Sequence, residues 1–511
     1  MKDYRQARWE ERLIQEYPDR GPATYAGPLD EEIARVAGEE PLPGELARSR
    51  PARIPRLSEV ELIRHYTRLS QMSYGVDQGP VPLGSCTMKY NPRLPLELVF
   101  GGPITRMHPH APESMVQGLL EILYELQGWL EAITGMDKCV LHPAAGAHGE
   151  LAGVLSIRRF HQLAGDTERD EIVVPDSAHG TNPSSASMAG FRVVEIPTGP
   201  DGNVDMNALR SVVGPRTAGL MITNPSTLGL FEENILDIAR TVHEAGGLLY
   251  YDGANLNGIM GYTRPGDMGF DIAHLNVHKT FSSPHGGGGP GAGPVCARAV
   301  RVPGREGLTL ADLLPGVRVE RSGGEYVLVE QSPEGVGMIR AFPFNTLPLV
   351  WAYIYILSMG PQGLRRATEM AVAKTNYLLS LMKGEDSYSL PYAPGRPRKH
   401  EAVLSAKPLA QRKGIRAEDV AKGLLDRGFY APTIYFPLIV EEALMIEFTE
   451  TEPLEEIEAY AEALKEIARE DPETARRRPF NTSVERVDQV YANHPRTMAP
   501  TLRVYERRSR S

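Results

Sequence analysis

A chain of 511 residues and 56.2 kDa exceeds what one hydrophobic core sustains, so two or more domains are expected. Its 41% hydrophobic and 23% charged residues count against a disordered or membrane-embedded chain and fit a soluble globular one. A net charge of −10 and a pI near 5.8 lack the basic footprint of a phosphate-backbone binder, so no nucleic acid is expected among its partners.

The opening "MKDYRQARWEERLIQEYPDR" is charged throughout and has no apolar centre of the secretory kind. No later run reaches the roughly 18 apolar residues that a membrane span requires. A cytoplasmic location without membrane contact is the expectation. Residues 1–105 read as a proline-rich, charged arm with one amphipathic stretch, "LSEVELIRHYTRLSQ". There Ser58 is placed to cap a helix, and Val60, Leu62, Ile63 and Tyr66 recur near helical spacing. The remainder is extended and needs another surface to lie on; it ends in the loop "GSCTMKYNPRLP".

Residues 106–350 change texture. "APESMVQGLLEILYELQGWLEAITG" predicts a helix whose first turn holds Pro112 and Glu113. Leu120, Ile122, Leu123, Leu126 and Leu130 form its apolar side, and Gly135 stops it. Strands are then predicted at "EIVVP" (171–175), "FRVVEIP" (191–197), "TAGLMITNP" (217–225), "GGLLYYDGA" (246–254) and "IAHLNVHK" (272–279), with "GPVCARAV" as a further one. Helical segments such as "FEENILDIARTVHEAG", with Gly246 as its stop, lie between several of them. This alternation implies an α/β domain with a largely parallel sheet buried on both faces. Residues 351–470 supply a linking helix and a small α+β domain: "HEAVLSAK", "RAEDVAKGLLDRGFY", "ALMIEFTE" and "TEPLEEIEAYAEALKEIARE" read strand, helix, strand, helix. A tail, 471–511, closes on "TMAPTLRVYERRSRS". Cys86, Cys139 and Cys296, odd in number and widely spaced, support neither a disulfide framework nor a Cys-based zinc site, so a reducing compartment and no metal are expected.

In an open α/β sheet, ligands gather beyond the carboxyl ends of the strands. Four loops fall there. In "HPAAGAHGE" (142–150), Ala145, Gly146 and Ala147 leave backbone N–H groups accessible at a helix start, which makes either a phosphate cradle or an ordinary tight loop. His179, in "VVPDSAHGTNPSS", can stack on an aromatic ligand, move a proton or satisfy a loop hydrogen bond. Asp252 ends an apolar strand, where a carboxylate needs a cationic partner or strong donors; capping the next loop is the alternative. Lys279 lies 27 residues further on, about one sheet crossover, so both side chains can reach one crevice.

Pyridoxal phosphate requires an amine for a Schiff base, a carboxylate for its ring nitrogen, a cradle for its phosphate and a group against its ring face. Lys279, Asp252, the 145–147 loop and His179 match these in turn, and the glycines after Lys279 allow close backbone approach across a subunit boundary.

With these pieces assembled, the chain resembles the fold type I pyridoxal-phosphate enzymes, whose large domain is aspartate aminotransferase-like. Within them it is similar to the glycine cleavage system P-protein family, in particular the second subunit of its two-chain form. The strings that carry this are "GSCTMKYNP", "HPAAGAHGE", "DSAHGTNPSSA", "TNPSTLGLFE", "YYDGANLN" and "NVHKTFSSPHGGGGPG", spanning residues 84–291. The resemblance implies a covalent aldimine at Lys279, pairing of Asp252 with the pyridine nitrogen, and His179 on the ring. It also implies Thr227 near the phenolic oxygen, and Asn276 and His278 at the phosphate. It further implies glycine as substrate, CO₂ as product, transfer of the aminomethyl group to the lipoyl disulfide of an H-protein, and an α₂β₂ heterotetramer with a companion chain of similar fold. Arg340 and Asn345 are candidates for the glycine carboxylate, Lys89 for the substrate or lipoyl entrance, and Cys86 either for redox chemistry or for packing. The alternatives are another fold type I enzyme, such as an amino-acid decarboxylase or a cysteine desulfurase, and a cofactor-free assembly subunit.

Overall fold

The short apolar runs become the strands of a central sheet. The computed structural model describes residues 4–19, 35, 44–46, 49, 54–108, 110–286 and 291–498. Seven strands are β1 (Lys138–Val140), β2 (Glu171–Pro175), β3 (Arg192–Ile196), β4 (Thr217–Ile222), β5 (Leu248–Gly253), β6 (Ile272–Leu275) and β7 (Val295–Ala297). They lie in the order β1-β7-β6-β5-β4-β2-β3. The pairings among β2 to β6 are parallel, whereas β7 runs antiparallel to both β1 and β6.

Successive residues of a strand point to opposite faces, and here both faces are covered. Ile172, Val174 and Tyr250 share one core with Val154, Ile157 and Phe160 of the helix Gly146–Leu163. Val173, Leu249 and Tyr251 share the other with Leu120, Leu123, Leu126 and Leu130 of the helix Gln117–Thr134. That two-sided burial explains why these strands read as continuous apolar runs. Truncating a fully buried side chain such as Leu126 to Ala should cost about 2–5 kcal/mol.

Three local expectations change in the fold. Pro112 and Glu113 lead only a 3₁₀ turn, Glu113–Met115; Val116, at φ −126°, interrupts it, and the α-helix starts at Gln117. Its end is as expected, with Gly135 in the left-handed region at φ 70°. The run 272–279 is strand only as far as Leu275, after which Asn276 leads into a one-turn helix, Val277–Thr280. Lys279 therefore sits on a turn beyond the strand rather than on it. Lastly, Cys139 and Cys296 are joined as a disulfide, contrary to the expectation of unpaired cysteines. They face each other in the antiparallel β1–β7 register with Cα atoms 4.0 Å apart, a proximity hidden by a sequence separation of 157.

Downstream, β8 (Val317–Ser322) and β9 (Glu325–Glu330) form a separate hairpin. A long helix, Thr346–Leu381, bends at Gly360 (φ 60°, ψ 176°) where Pro361 follows. A three-stranded antiparallel sheet, β10 (Glu401–Ser405), β12 (Ala443–Glu447) and β11 (Thr433–Ile434) in that order, is backed by the helices Ala417–Leu425 and Leu454–Arg469. Leu404, Ile446 and Phe448 pack there with Val420, Leu424, Ile457, Tyr460 and Leu464.

Among the described residues, those of Val76–Leu424 and Phe429–Arg476 form one compact unit, and those of Lys2–Gly75, Leu425–Gly428 and Arg477–Ser511 another. In the second, Ser58 caps the helix Glu59–Gln71 through a capping box with Glu61. Its buried side chain is His65, which bonds Glu11 at 2.8 Å; the apolar Val60, Ile63 and Tyr66 are exposed. Hydrogen bonds from Arg68 first, then Tyr17 and His65, hold the Glu11 carboxyl down at about 2. Most of the proline-rich arm between 20 and 53, the glycine run 287–290 and the terminal 499–511 lie outside the described residues. No helix among the described residues is long and apolar enough to cross a membrane.

Candidate active site

Beyond the carboxyl ends of β2, β4, β5 and β6, loops and helix starts surround a cavity of about 420 Å³. Lys279, Asp252, His179, Ala145, Gly146, Ala147, Thr227, Asn276 and His278 all line it. The structure thus brings every predicted site residue together, although they are spread over more than a hundred positions.

The helix Gly146–Leu163 opens on Ala145, whose side chain provides no cap, so its first-turn amides point free of side-chain partners at the cavity edge. Gly146 is required there because a Cβ would collide with the Asn276 side chain. Beneath this cradle, Asn276 Oδ1 and His278 Nδ1 are buried without a hydrogen-bond partner among the described residues. Orphaned polar atoms beside uncapped amides suit an anionic group such as a phosphate. Thr227 donates its hydroxyl hydrogen bond to the Ser177 carbonyl.

Lys279 Nζ donates to the Ser85 carbonyl at 2.6 Å. Asp252, at the end of β5, accepts from Asn182 Nδ2 at 2.9 Å and from the Ala254 N–H at 3.1 Å, and His274 Nε2 stands 3.4 Å away. Burial pushes this carboxyl up, but His274, Asn182 and His179 together overcome it, so Asp252 is held below the usual carboxylate range. The same Asn182 amide reaches Glu150 at 3.0 Å. Burial and the neighbouring Asp252 charge push Glu150 up to about 7, so one carboxyl of this pair carries the charge and the other keeps a proton to near neutrality. His179 bonds the Thr181 hydroxyl at 2.8 Å, and Thr181 bonds Glu150 at 2.9 Å. The His179 ring also lies edge-on to Phe436, with centroids 5.3 Å apart. Burial depresses the imidazoles that line the cavity around the lysine: His179, His285 and His400 below their ordinary value, His274 to about 4 and His278 to about 3.

Glu150, Asn182, His274, Glu401 and His400 were not singled out from sequence, although Glu150 and Asn182 lie within quoted strings. Their spacing was the available signal: Glu150 is one helical turn past Gly146, on the face that returns toward the sheet. Glu401 and His400 had none, since they arrive from the small domain.

Four expectations are redirected. Arg340 and Asn345 line a different cavity, of about 320 Å³ with His108 and Phe342, so they are absent from the lining around Lys279. Lys89 does not border an entrance: its side chain is fully buried, paired with Glu450 at 2.9 Å and donating to the Thr280 carbonyl. Cys86 does line the cavity, and its surroundings push the thiol up, against the pull of Lys279. The glycine run after Lys279, expected to permit close approach, falls mostly in 287–290, outside the described residues.

The residue set fits pyridoxal phosphate: an amine, a carboxylate kept ionised, an imidazole at the cavity wall and an uncapped helix start converge within one space. Comparisons with known proteins agree. Residues 160–288 match the "Aminotransferase class-V" family and residues 367–490 match "Glycine dehydrogenase, C-terminal domain". A protein of Aeropyrum pernix with the name "Probable glycine dehydrogenase (decarboxylating) subunit 2" is 64% identical over 98% of this chain and 97% of its own length. Relatives of the same name in Staphylothermus marinus and Pyrococcus horikoshii are 60% and 53% identical, covering 98% and 96% of this chain and 98% and 95% of theirs. Among solved structures, a glycine decarboxylase (P-protein) of the glycine cleavage system superposes with a TM-score of 0.71 at 22% identity, over 85% of this chain and 97% of the other. A cysteine desulfurase from Thermococcus onnurineus does so at 0.59 and 16%, over 77% and 95%, a likeness of fold alone. Identity sustained over nearly the whole length, on the fold type I architecture and with this cavity intact, leads to one assignment: the chain belongs to the glycine dehydrogenase (decarboxylating) subunit 2 family.

Proposed function

We propose that this chain is the pyridoxal-phosphate-binding catalytic subunit of a cytoplasmic glycine decarboxylase. In this reading it releases the carboxylate of glycine as CO₂ and passes the aminomethyl group to the lipoyl disulfide of an H-protein. The disulfide is reduced as one sulfur takes the carbon and the other a proton. The companion is a subunit 1, in an α₂β₂ assembly. The observation that carries the reading is the convergence of Lys279, ionised Asp252, His179 and the uncapped start of the helix Gly146–Leu163 on one cavity.

When bound, pyridoxal phosphate supplies an aldehyde that condenses with amines and a pyridinium ring that accepts the electron pair left when CO₂ departs. Asp252 would hold the proton on the ring nitrogen, and hydrogen bonds from the Asn182 amide and the Ala254 N–H favour its charged form for that task. The first-turn amides at Ala145–Ala147, with Asn276 and His278 behind them, take the phosphate. His179 packs the ring face, steadied through Thr181. The Ser85 carbonyl accepts a hydrogen bond from the Lys279 amine at the cavity, which would keep that amine within reach to accept or return a proton.

The test is exchange of labelled bicarbonate into glycine by the chain with subunit 1 and H-protein, comparing wild type with Lys279→Ala. Exchange should vanish in the variant. Exchange that persists at the wild-type rate defeats the proposal.

A further inference from the structure

Two glutamates of the small domain meet behind the loop that holds Lys279. Glu401 and Glu447 are directly opposite each other in the antiparallel β10–β12 register, so their side chains leave the same face. Both are buried, at 5% and 2% exposure, and two charges so placed repel strongly in a medium of low polarizability. Glu447 accepts from Thr87 Oγ1, from Asn255 Nδ2 at 2.9 Å and from Asn257 Nδ2 at 3.3 Å. Among the described residues, Glu401 accepts the Ser85 N–H, at 2.8 Å. Burial first, and then the neighbouring Glu447 carboxylate, pushes Glu401 up to about 8.

The two carboxyls grip an unusual turn. Ser85 and Thr87 both lie at positive φ, 68° and 42°, and for β-branched Thr87 that conformation is strained. The grip is at Ser85 N–H and at the Thr87 hydroxyl. Between them, the Ser85 carbonyl is aimed at Lys279 Nζ. We propose that Glu401 is a positioning residue for Lys279: sharing one proton with Glu447, it locks the Ser85–Thr87 turn so that the Ser85 carbonyl holds the amine in the cavity. This rests on the reading of Lys279 as the cofactor-binding lysine. The charged and titratable groups around Glu401 are Glu447 from β12, His400 at 3.9 Å, Lys279, and Cys86 on the loop itself. When the shared proton is lost, two anions crowd the turn and the grip loosens.

The test uses the whole chain without cofactor and with added pyridoxal phosphate. Infrared difference spectra across pH about 6 to about 10 should show a buried carboxylic acid that ionises near 8 in wild type. The component that ionises near 8 should be lost in Glu401→Gln, leaving the Glu150 acid that ionises near 7, and it should ionise at lower pH in Glu447→Gln, because the neighbouring charge is gone. In parallel, borohydride trapping of pyridoxal phosphate on Lys279, read by peptide mass spectrometry, should show a step in wild type at the same pH. Glu401→Gln should remove that step. The proposal is overturned if wild type shows no such band, if trapping in Glu401→Gln keeps the wild-type step, or if added Zn²⁺ stabilises wild type and not Glu401→Gln, which would make His400, Glu401 and Glu447 a cation site with both carboxyls ionised. Absence of any trapping on wild-type Lys279 instead sinks the functional reading, while the infrared arm still decides the shared proton. Should Glu401→Gln fail to fold, Glu447→Gln carries the test through its downward shift.

Discussion

Two pairs of buried carboxyls stand at one cavity, which Glu150, Asp252 and Glu401 line while Glu447 lies beside Glu401 on the neighbouring strand, and they resolve the same electrostatic conflict by different means. Glu150 and Asp252 come from a helix and a strand end and are separated by the Asn182 amide, which donates to both. Glu401 and Glu447 stand side by side on neighbouring strands with no such spacer. In the first pair, Asp252 is favoured as the charged member by the Asn182 amide and the Ala254 N–H, with His274 Nε2 3.4 Å away, so the charge lies on the residue at the strand end, where a ring nitrogen can use it. In the second, amide and hydroxyl donors make the choice, and the protonated member faces the loop. Burial pushes Glu150, Asp252 and Glu401 up, and the neighbours select.

Asp252→Asn is the severest way to break that comparison. It leaves the shape of the site but removes the anion, and it should lower glycine turnover by about 10² to 10⁴-fold while borohydride still traps cofactor on Lys279. Loss of trapping as well would mean that Asp252 serves the fold rather than the ring. Asn182→Ala removes the spacer, and a drop of about ten- to a hundredfold in turnover is expected, as for other groups that orient a reacting partner. Glu447→Ala strands the donors of Thr87, Asn255 and Asn257, and calorimetry should record a loss of about 1–3 kcal/mol for each one that finds no water. Glu150→Gln imitates the protonated form and should cost less than about tenfold, yet it should erase any step in the rate profile near pH 7.

The smallest effect is on stability against pH. Glu401 has a folded value raised from 4.5 to about 8, so its contribution is complete below about 4.5 and is lost as pH rises through about 8. Glu401→Gln should therefore flatten the decline in melting temperature over that window. His274 and His278 act in the opposite sense: depressed from 6.5 to about 4 and about 3, they contribute above 6.5 and lose that contribution as pH falls through those values. An identical alkaline decline in wild type and Glu401→Gln would place the second pair's proton elsewhere.

Composition, apolar runs and glycine stops were enough to read six of the seven strands of the central sheet, the two flanking core helices and two of the three strands of the small sheet, because period and capping are local properties of the chain; the short β1 and β11 were not read. The residues that line the cavity were legible for a related reason: a strand-end Asp, a Lys one turn past a strand and a small-residue helix start each follow an apolar segment. Tertiary structure decided the rest. It turned the end of "IAHLNVHK" into a helical turn through the pairing of β6 with β7, joined Cys139 to Cys296 across 157 residues, sent Lys89 into the core, moved Arg340 to another cavity and placed Glu401 behind the lysine. Each of these depends on which strand becomes whose neighbour. That is settled by long-range packing and by the pairing of buried charges, and no local pattern in the chain encodes it.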